Sequence, residues 1–166
     1  MATVSINTGE LFVGDHSYIL EAPGIGSCVA VCLYDAKNKN GGLAHIMLPT
    51  DKKDQEKRQI LVVGKDDNIK DRSFHYADTA IDRLVEDLGA VGSSPDKLTA
   101  KIFGGSEMFS SLISSKRSVG VRNIDSVREK LKELAIPIIA EDVGGKVGRS
   151  VKFFLENGET EIRKRI

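Results

Sequence analysis

The chain has 166 residues, enough for one domain with a sizeable core and no covalent staples. Lys plus Arg and Asp plus Glu each total 24, so the formal charge is zero. That balance argues against a nucleic-acid binder working by bulk charge, because neutralising phosphates needs a basic surplus. Hydrophobic residues make 40% and charged residues 29%, the proportions of a soluble globular protein. Met1-Ala2-Thr3-Val4-Ser5 has neither a basic start nor a long apolar run, so it does not read as a signal peptide. No apolar run approaches the roughly 20 residues needed to span a bilayer. The expectation is a single cytoplasmic domain over residues 1–166, without membrane insertion.

The first part of the chain reads as short strands at 11–13, 18–20, 28–34 and 43–48, apolar or alternating and rich in β-branched or aromatic residues. Residues 35–42 are polar, with Asn38, Asn40, Gly41 and Gly42, and read as a turn. The strands on either side are then antiparallel neighbours. On this simple pairing Cys28 and His45 are expected near opposite ends of a hairpin unless the chain bends. Charge runs at 51–57 and 64–72, around a short apolar strand at 60–63, read as an exposed loop excursion.

Ala77, Ile81, Leu84, Val85 and Leu88 predict a helix over 76–88, stopped by Gly89. A strand over 98–103 ends at Gly104-Gly105. Ser106 is expected to cap a short helix carrying Met108, Phe109, Leu112 and Ile113. Asn123 is expected to cap the next, with Asp125 in its first turn and Ile124, Val127, Leu131 and Leu134 on one face. A strand over 137–140 follows. A hairpin then runs from 150–155 through Asn157-Gly158 to 160–165. Many strands with helices in the middle and later chain indicate an α+β fold.

The chemistry centres on Gly24-Ile25-Gly26-Ser27-Cys28 and on His45 within Gly42-Leu43-Ala44-His45-Ile46. Gly24 and Gly26 let the chain turn sharply, and backbone N–H groups in such a turn can bind an oxyanion. A thiol there is a nucleophile if an imidazole takes its proton. The alternative is a small buried hydrophobe beside a satisfied core histidine. Cys32 fits that alternative well. Of the other histidines, His16 reads as solvent-facing in a turn, and His75 stands just before a helix.

Cys28 and Cys32 lie about 13 Å apart if both are on one strand, too far for a disulfide. With His45 they make three candidate zinc ligands, but no second ligand pair follows. Neither a metal nor a cofactor is expected. Gly24-Ile25-Gly26 leads into a strand rather than a helix and so fails as a dinucleotide fingerprint. Gly144-Gly145-Lys146-Val147-Gly148-Arg149-Ser150 lacks the order of a phosphate loop and reads as a basic turn before a hairpin.

Residues 24–35 (Gly-Ile-Gly-Ser-Cys-Val-Ala-Val-Cys-Leu-Tyr-Asp) and 41–49 (Gly-Gly-Leu-Ala-His-Ile-Met-Leu-Pro) resemble the signature of the chemoreceptor glutamine deamidases, the CheD family. Tyr76-Ala77-Asp78-Thr79-Ala80, the run 102–109, Gly120-Val121-Arg122-Asn123 and Glu141-Asp142-Val143-Gly144-Gly145 follow in the family's order. The likeness extends from about residue 4 to 165. It implies two packed β-sheets flanked by helices, in α/β/β/α layers similar to toxin-type cysteine deamidases.

The resemblance further implies that Cys28 is the nucleophile and His45 its partner in one site, with backbone support at Gly26 and Ser27. The substrates implied are glutamines on the cytoplasmic domains of chemoreceptors, and a CheC-type phosphatase is the implied partner. Gly104 to Phe109 offers exposed apolar candidates for that partner, although core packing is the better reading of Met108 and Phe109. The family's third site residue, a threonine six positions before the cysteine, is Ala22 here, followed by Pro23. That departure leaves a second reading open, a non-catalytic adaptor that docks on receptors or phosphatase. A weaker third is a thiol protease or transglutaminase-like enzyme.

Overall fold

The computed structural model describes residues 1–49, 75–107 and 118–165. Nine strands are present among them: β1 (Ala2–Ser5), β2 (Leu11–Gly14), β3 (Tyr18–Ile25), β4 (Val29–Asp35), β5 (Asn40–Ile46), β6 (Thr99–Gly104), β7 (Ile138–Val143), β8 (Arg149–Phe154) and β9 (Thr160–Lys164). Two helices are α1 (Ala77–Ala90) and α2 (Val119–Glu133). The strands form a four-stranded sheet, β1-β3-β8-β9, and a five-stranded sheet, β2-β5-β4-β6-β7. This is the α+β fold with two packed sheets that the resemblance implies, and both described helices pack on the five-stranded sheet.

β4 explains the layering. Each of its residues is buried, and alternate side chains serve different cores. Val29, Val31 and Leu33 join Ala44, Ile46 and Ile102 beneath Ile81, Leu84 and Leu88 of α1 and Val127 and Leu131 of α2. Ala30, Cys32 and Tyr34 face the other way and pack with Leu20, Ala22, Val151 and Phe153 of the four-stranded sheet. A strand covered on both faces reads as a continuous apolar run, as 28–34 does.

Several local expectations are corrected. The β4–β5 register pairs Ala30 with His45 and Val29 with Ile46. Cys28, one residue before β4, therefore lies at the same end of the hairpin as His45, not at the opposite end. Antiparallel strands bring the start of one beside the finish of the next. The turn is also shorter than 35–42, because Asn40, Gly41 and Gly42 already belong to β5.

Asn123 does not cap α2. Ser118 does, its Oγ accepting from the Val121 N–H at 3.3 Å, while Asn123 is fully buried inside the helix. Ser106 is buried in irregular backbone, and the helix expected after it lies mostly outside the described residues, as does the excursion at 50–73. Helix α1 runs one residue past Gly89, and the positive φ falls at Gly92 (95°). β1, absent from the sequence reading, pairs parallel with β3. The final hairpin turns through a longer loop, in which Gly158 donates to the Phe154 carbonyl at 2.8 Å.

Candidate active site

Cys28 stands at the end of the turn that joins β3 to β4. Gly24 has a φ of 62°, which suits glycine and lets the chain leave β3 sharply. Three successive carbonyls of the turn are then tied down. Gly26 O accepts from the Ser106 N–H at 3.0 Å, and Cys28 O accepts from the Gly105 N–H at 2.7 Å. Ser27 O accepts from Asn123 Nδ2 at 2.9 Å. In a trans peptide the N–H of the next residue points opposite to the carbonyl. The N–H groups of Ser27 and Cys28 therefore point away from those partners.

The packing under this turn leaves no room. A Cβ on Gly104 would come within 2.3 Å of the Cys28 carbonyl oxygen, and its φ of 112° also demands glycine. Asn123 reaches further, donating to Met47 O at 3.0 Å as well as to Ser27 O. One buried amide thus joins the cysteine turn to the residue that follows β5. Its Oδ1 and the Ser106 Oγ have no hydrogen-bond partner among the described residues.

His45 lies on β5 with its side chain between the sheets, on the face shared by Leu43, Ala30 and Cys32. Cys28 packs against the same core. Cys28 directly precedes Val29, which pairs with Ile46, so Cys28 and His45 lie at the same end of the hairpin. His45 is 1% exposed. Its Nδ1 is 3.0 Å from the Ile6 carbonyl. A carbonyl only accepts, so Nδ1 carries the proton and Nε2 keeps its lone pair. That Nε2 is buried with no partner among the described residues.

Both groups rest in their neutral forms at neutral pH. Burial pushes the Cys28 thiol above its ordinary value. Burial pushes the His45 imidazole below its ordinary 6.5, against the pull of the Ile6 carbonyl and Glu10. A protonated thiol beside a neutral, correctly tautomerised imidazole can react by general-base proton transfer. Cys32 is different: it is fully buried, and its thiol is pushed far up by desolvation.

The site-residue expectations separate cleanly. Cys28, His45, Gly26 and Ser27 are gathered at one end of the hairpin. Ala22 is fully buried on β3 opposite Val151 and brings no polar group. Sequence reasoning missed the Ile6 carbonyl and Asn123. Only Asn123 had a readable signal, since it falls on the same helical face as Gly120, Ile124, Val127 and Leu131. Among the described residues, no three His, Cys, Asp or Glu side chains are grouped as metal ligands. No described helix is long and apolar enough to cross a membrane.

The pattern of the family described as CheD chemotactic sensory transduction matches residues 47–164. The chain belongs to the CheD family. It is 39% identical over 161 residues to a protein of Halalkalibacterium halodurans named chemoreceptor glutamine deamidase CheD, covering 96% of this chain and 92% of the relative. A protein of Thermotoga maritima with the same name is 38% identical over 159 residues, covering 96% and 90%. A probable chemoreceptor glutamine deamidase CheD of Caldanaerobacter subterraneus is 40% identical over 148 residues, covering 87% and 82%. The family relationship thus extends through the segments that carry Cys28 and His45.

Proposed function

We propose that this CheD-family chain is a chemoreceptor glutamine deamidase, with Cys28 as nucleophile and His45 as general base and then general acid. The observation that carries the residue assignment is the His45 tautomer. Its Nδ1–H donates to Ile6 O, leaving a buried Nε2 that has no partner among the described residues on the face that Cys28 shares. The relatives' names supply the substrate and reaction.

The reaction follows from those groups. Nε2 takes the thiol proton as sulfur attacks the carboxamide carbon of a glutamine. The developing oxyanion is met by the outward N–H groups of Ser27 and Cys28; one such donor is worth about 2.7–4 kcal/mol. The imidazolium formed stays bound to Ile6 O through Nδ1–H. It returns its proton to nitrogen as the C–N bond breaks, and ammonia leaves a thioester. Water, losing a proton to His45, attacks the thioester; glutamate forms and the thiol is restored. Each turnover converts a neutral side chain into a carboxylate on the receptor.

Residues 1–166 are taken as one catalytic domain that works in the cytoplasm, where the receptor glutamines lie, and a CheC-type phosphatase is its regulatory partner. The assay is ammonia release from receptor cytoplasmic fragments, with loss of the corresponding glutamine amide confirmed by peptide mass. The expected result is release by the parent chain and a fall of at least about a thousandfold in Cys28→Ala. Receptor binding without any ammonia release would overturn the enzyme assignment in favour of an adaptor.

A further inference from the structure

Arg149 is buried, 3% exposed, on β8 of the four-stranded sheet, and its guanidinium reaches across to β6 and β7 of the other sheet. Nε and Nη2 both meet Asp142 Oδ1, at 3.2 and 3.0 Å. Nη2 also donates to Gly144 O at 2.8 Å, and Nη1 to Gly104 O at 3.4 Å. Gly104 O accepts the Gly144 N–H as well, at 2.8 Å. That carbonyl belongs to the same peptide unit as the Gly105 N–H, which donates to Cys28 O at 2.7 Å. One planar amide thus carries the guanidinium on its oxygen and the cysteine turn on its nitrogen. We propose that Arg149 is a positioning residue for the reaction, locking the Gly104–Gly105 peptide and through it the turn that presents Cys28. The proposal rests on the reading of Cys28 as nucleophile.

Gly104 and Gly105 both have positive φ, 112° and 67°. No side chain stiffens the peptide between them, so its hydrogen bonds decide where it sits. A cation on its oxygen also polarises it and strengthens the bond from its N–H to Cys28 O. The cysteine turn is the crossing from β3 in one sheet to β4 in the other, and Arg149 pairs with Ile25 at the start of that crossing. A tie between the sheets at this point fixes the two ends of the turn against each other. Charge balance alone does not account for the arginine. Half-exposed Lys164 already meets Asp142 Oδ2 at 3.0 Å, and a buried cation is costly to place. What a lysine ammonium lacks is a planar fork that meets two carbonyls and a carboxylate at once.

The test compares Arg149→Lys with Lys164→Met in the full chain, by ammonia release from receptor cytoplasmic fragments and by thermal melts. Arg149→Lys keeps a charge beside Asp142 and loses the fork. Its kcat per folded molecule is expected to fall about tenfold with KM within about twofold, because a misplaced nucleophile costs rate rather than binding. Lys164→Met removes the other cation on Asp142 but leaves the bond to Gly104 O, and its kcat is expected to stay within about twofold of the parent. A parental kcat in Arg149→Lys overturns the proposal and leaves the arginine a structural role only. An equal fall in Lys164→Met also overturns it, since charge on Asp142 would then be what matters. Should Arg149→Lys fail to fold, Asp142→Ala decides. Freeing the guanidinium from its carboxylate is expected to lower kcat about threefold, and a parental kcat overturns the proposal. Failure of the underlying reading looks different: ammonia release that survives Cys28→Ala, or none from the parent chain, overturns that reading and this proposal with it.

Discussion

The β4–β5 hairpin carries buried polar groups at both ends, and the two ends treat them in opposite ways. At the turn end, Asp35 is 1% exposed and fully engaged. Its carboxylate accepts from Ser93 Oγ at 2.7 Å, Asn38 Nδ2 at 2.8 Å, and the backbone N–H groups of Lys37 and Asn38. Burial alone would raise its pKa, but these donors hold it below the usual carboxylate range. At the open end, His45 Nε2, Asn123 Oδ1 and Ser106 Oγ are buried without partners among the described residues. A polar group that only supports a fold is normally satisfied. Buried capacity left unused among the described residues distinguishes the end of the hairpin that carries Cys28.

Substitutions can break this contrast. The largest effect is expected at His45. His45→Gln should lower ammonia release by about 10²–10⁴-fold while the chain stays folded. It also has a pH signature. The folded state favours neutral imidazole, so His45 contributes stability above its unfolded pKa of 6.5, and that contribution falls away as pH drops below this value. Thermal melts between pH 7 and 5 should thus show a steeper loss in the parent than in His45→Gln. Parallel curves would mean that burial does not disfavour the imidazolium.

Asn123→Ala comes next. It leaves Ser27 O and Met47 O without their donor, a loss of about 2–4 kcal/mol in denaturant melts. Activity per folded molecule should fall with it, because the same amide joins the two segments of the site. Unchanged turnover in the folded fraction would show that the turn holds its position without that bridge.

The smallest effect on chemistry is expected at the turn end. Asp35→Ala should destabilise by about 1.5–3 kcal/mol through its orphaned donors, yet leave turnover by the folded fraction within about twofold. A large fall in turnover with intact structure would mean that the two ends are coupled along the hairpin.

Much of this was legible in the sequence because the signals were local. Gly24-x-Gly26 before Cys28 announces a tight turn, and the unbroken apolar run Val29-Ala30-Val31-Cys32-Leu33 announces a strand. Gly41 and Gly42 looked like turn residues, but they lie in β5, where a Cβ on Gly42 would come within 2.9 Å of Leu84. Close approach of neighbouring strands and of α1, rather than backbone reversal, is why glycine is there. Asn123 matches the composition of a helix cap, and only its buried neighbours reveal that its amide points inward. The Ile6 carbonyl had no signal at all. Backbone acceptors look alike in every residue, and its role depends on β1 pairing with β3, a parallel contact between short segments of which one is mostly exposed.

That crossing has a practical side. The chain leaves β1 in one sheet and enters β2 in the other through the loop that grips His45. The amino-terminal segment thus holds His45 in place, although it carries neither of the two candidate side chains. A tag or a trimming cut that unseats β1 would leave both side chains in the protein and remove the carbonyl that fixes where the imidazole proton resides. A purified sample could then be folded, carry an intact Cys28 and His45, and still be inert for want of its first few residues.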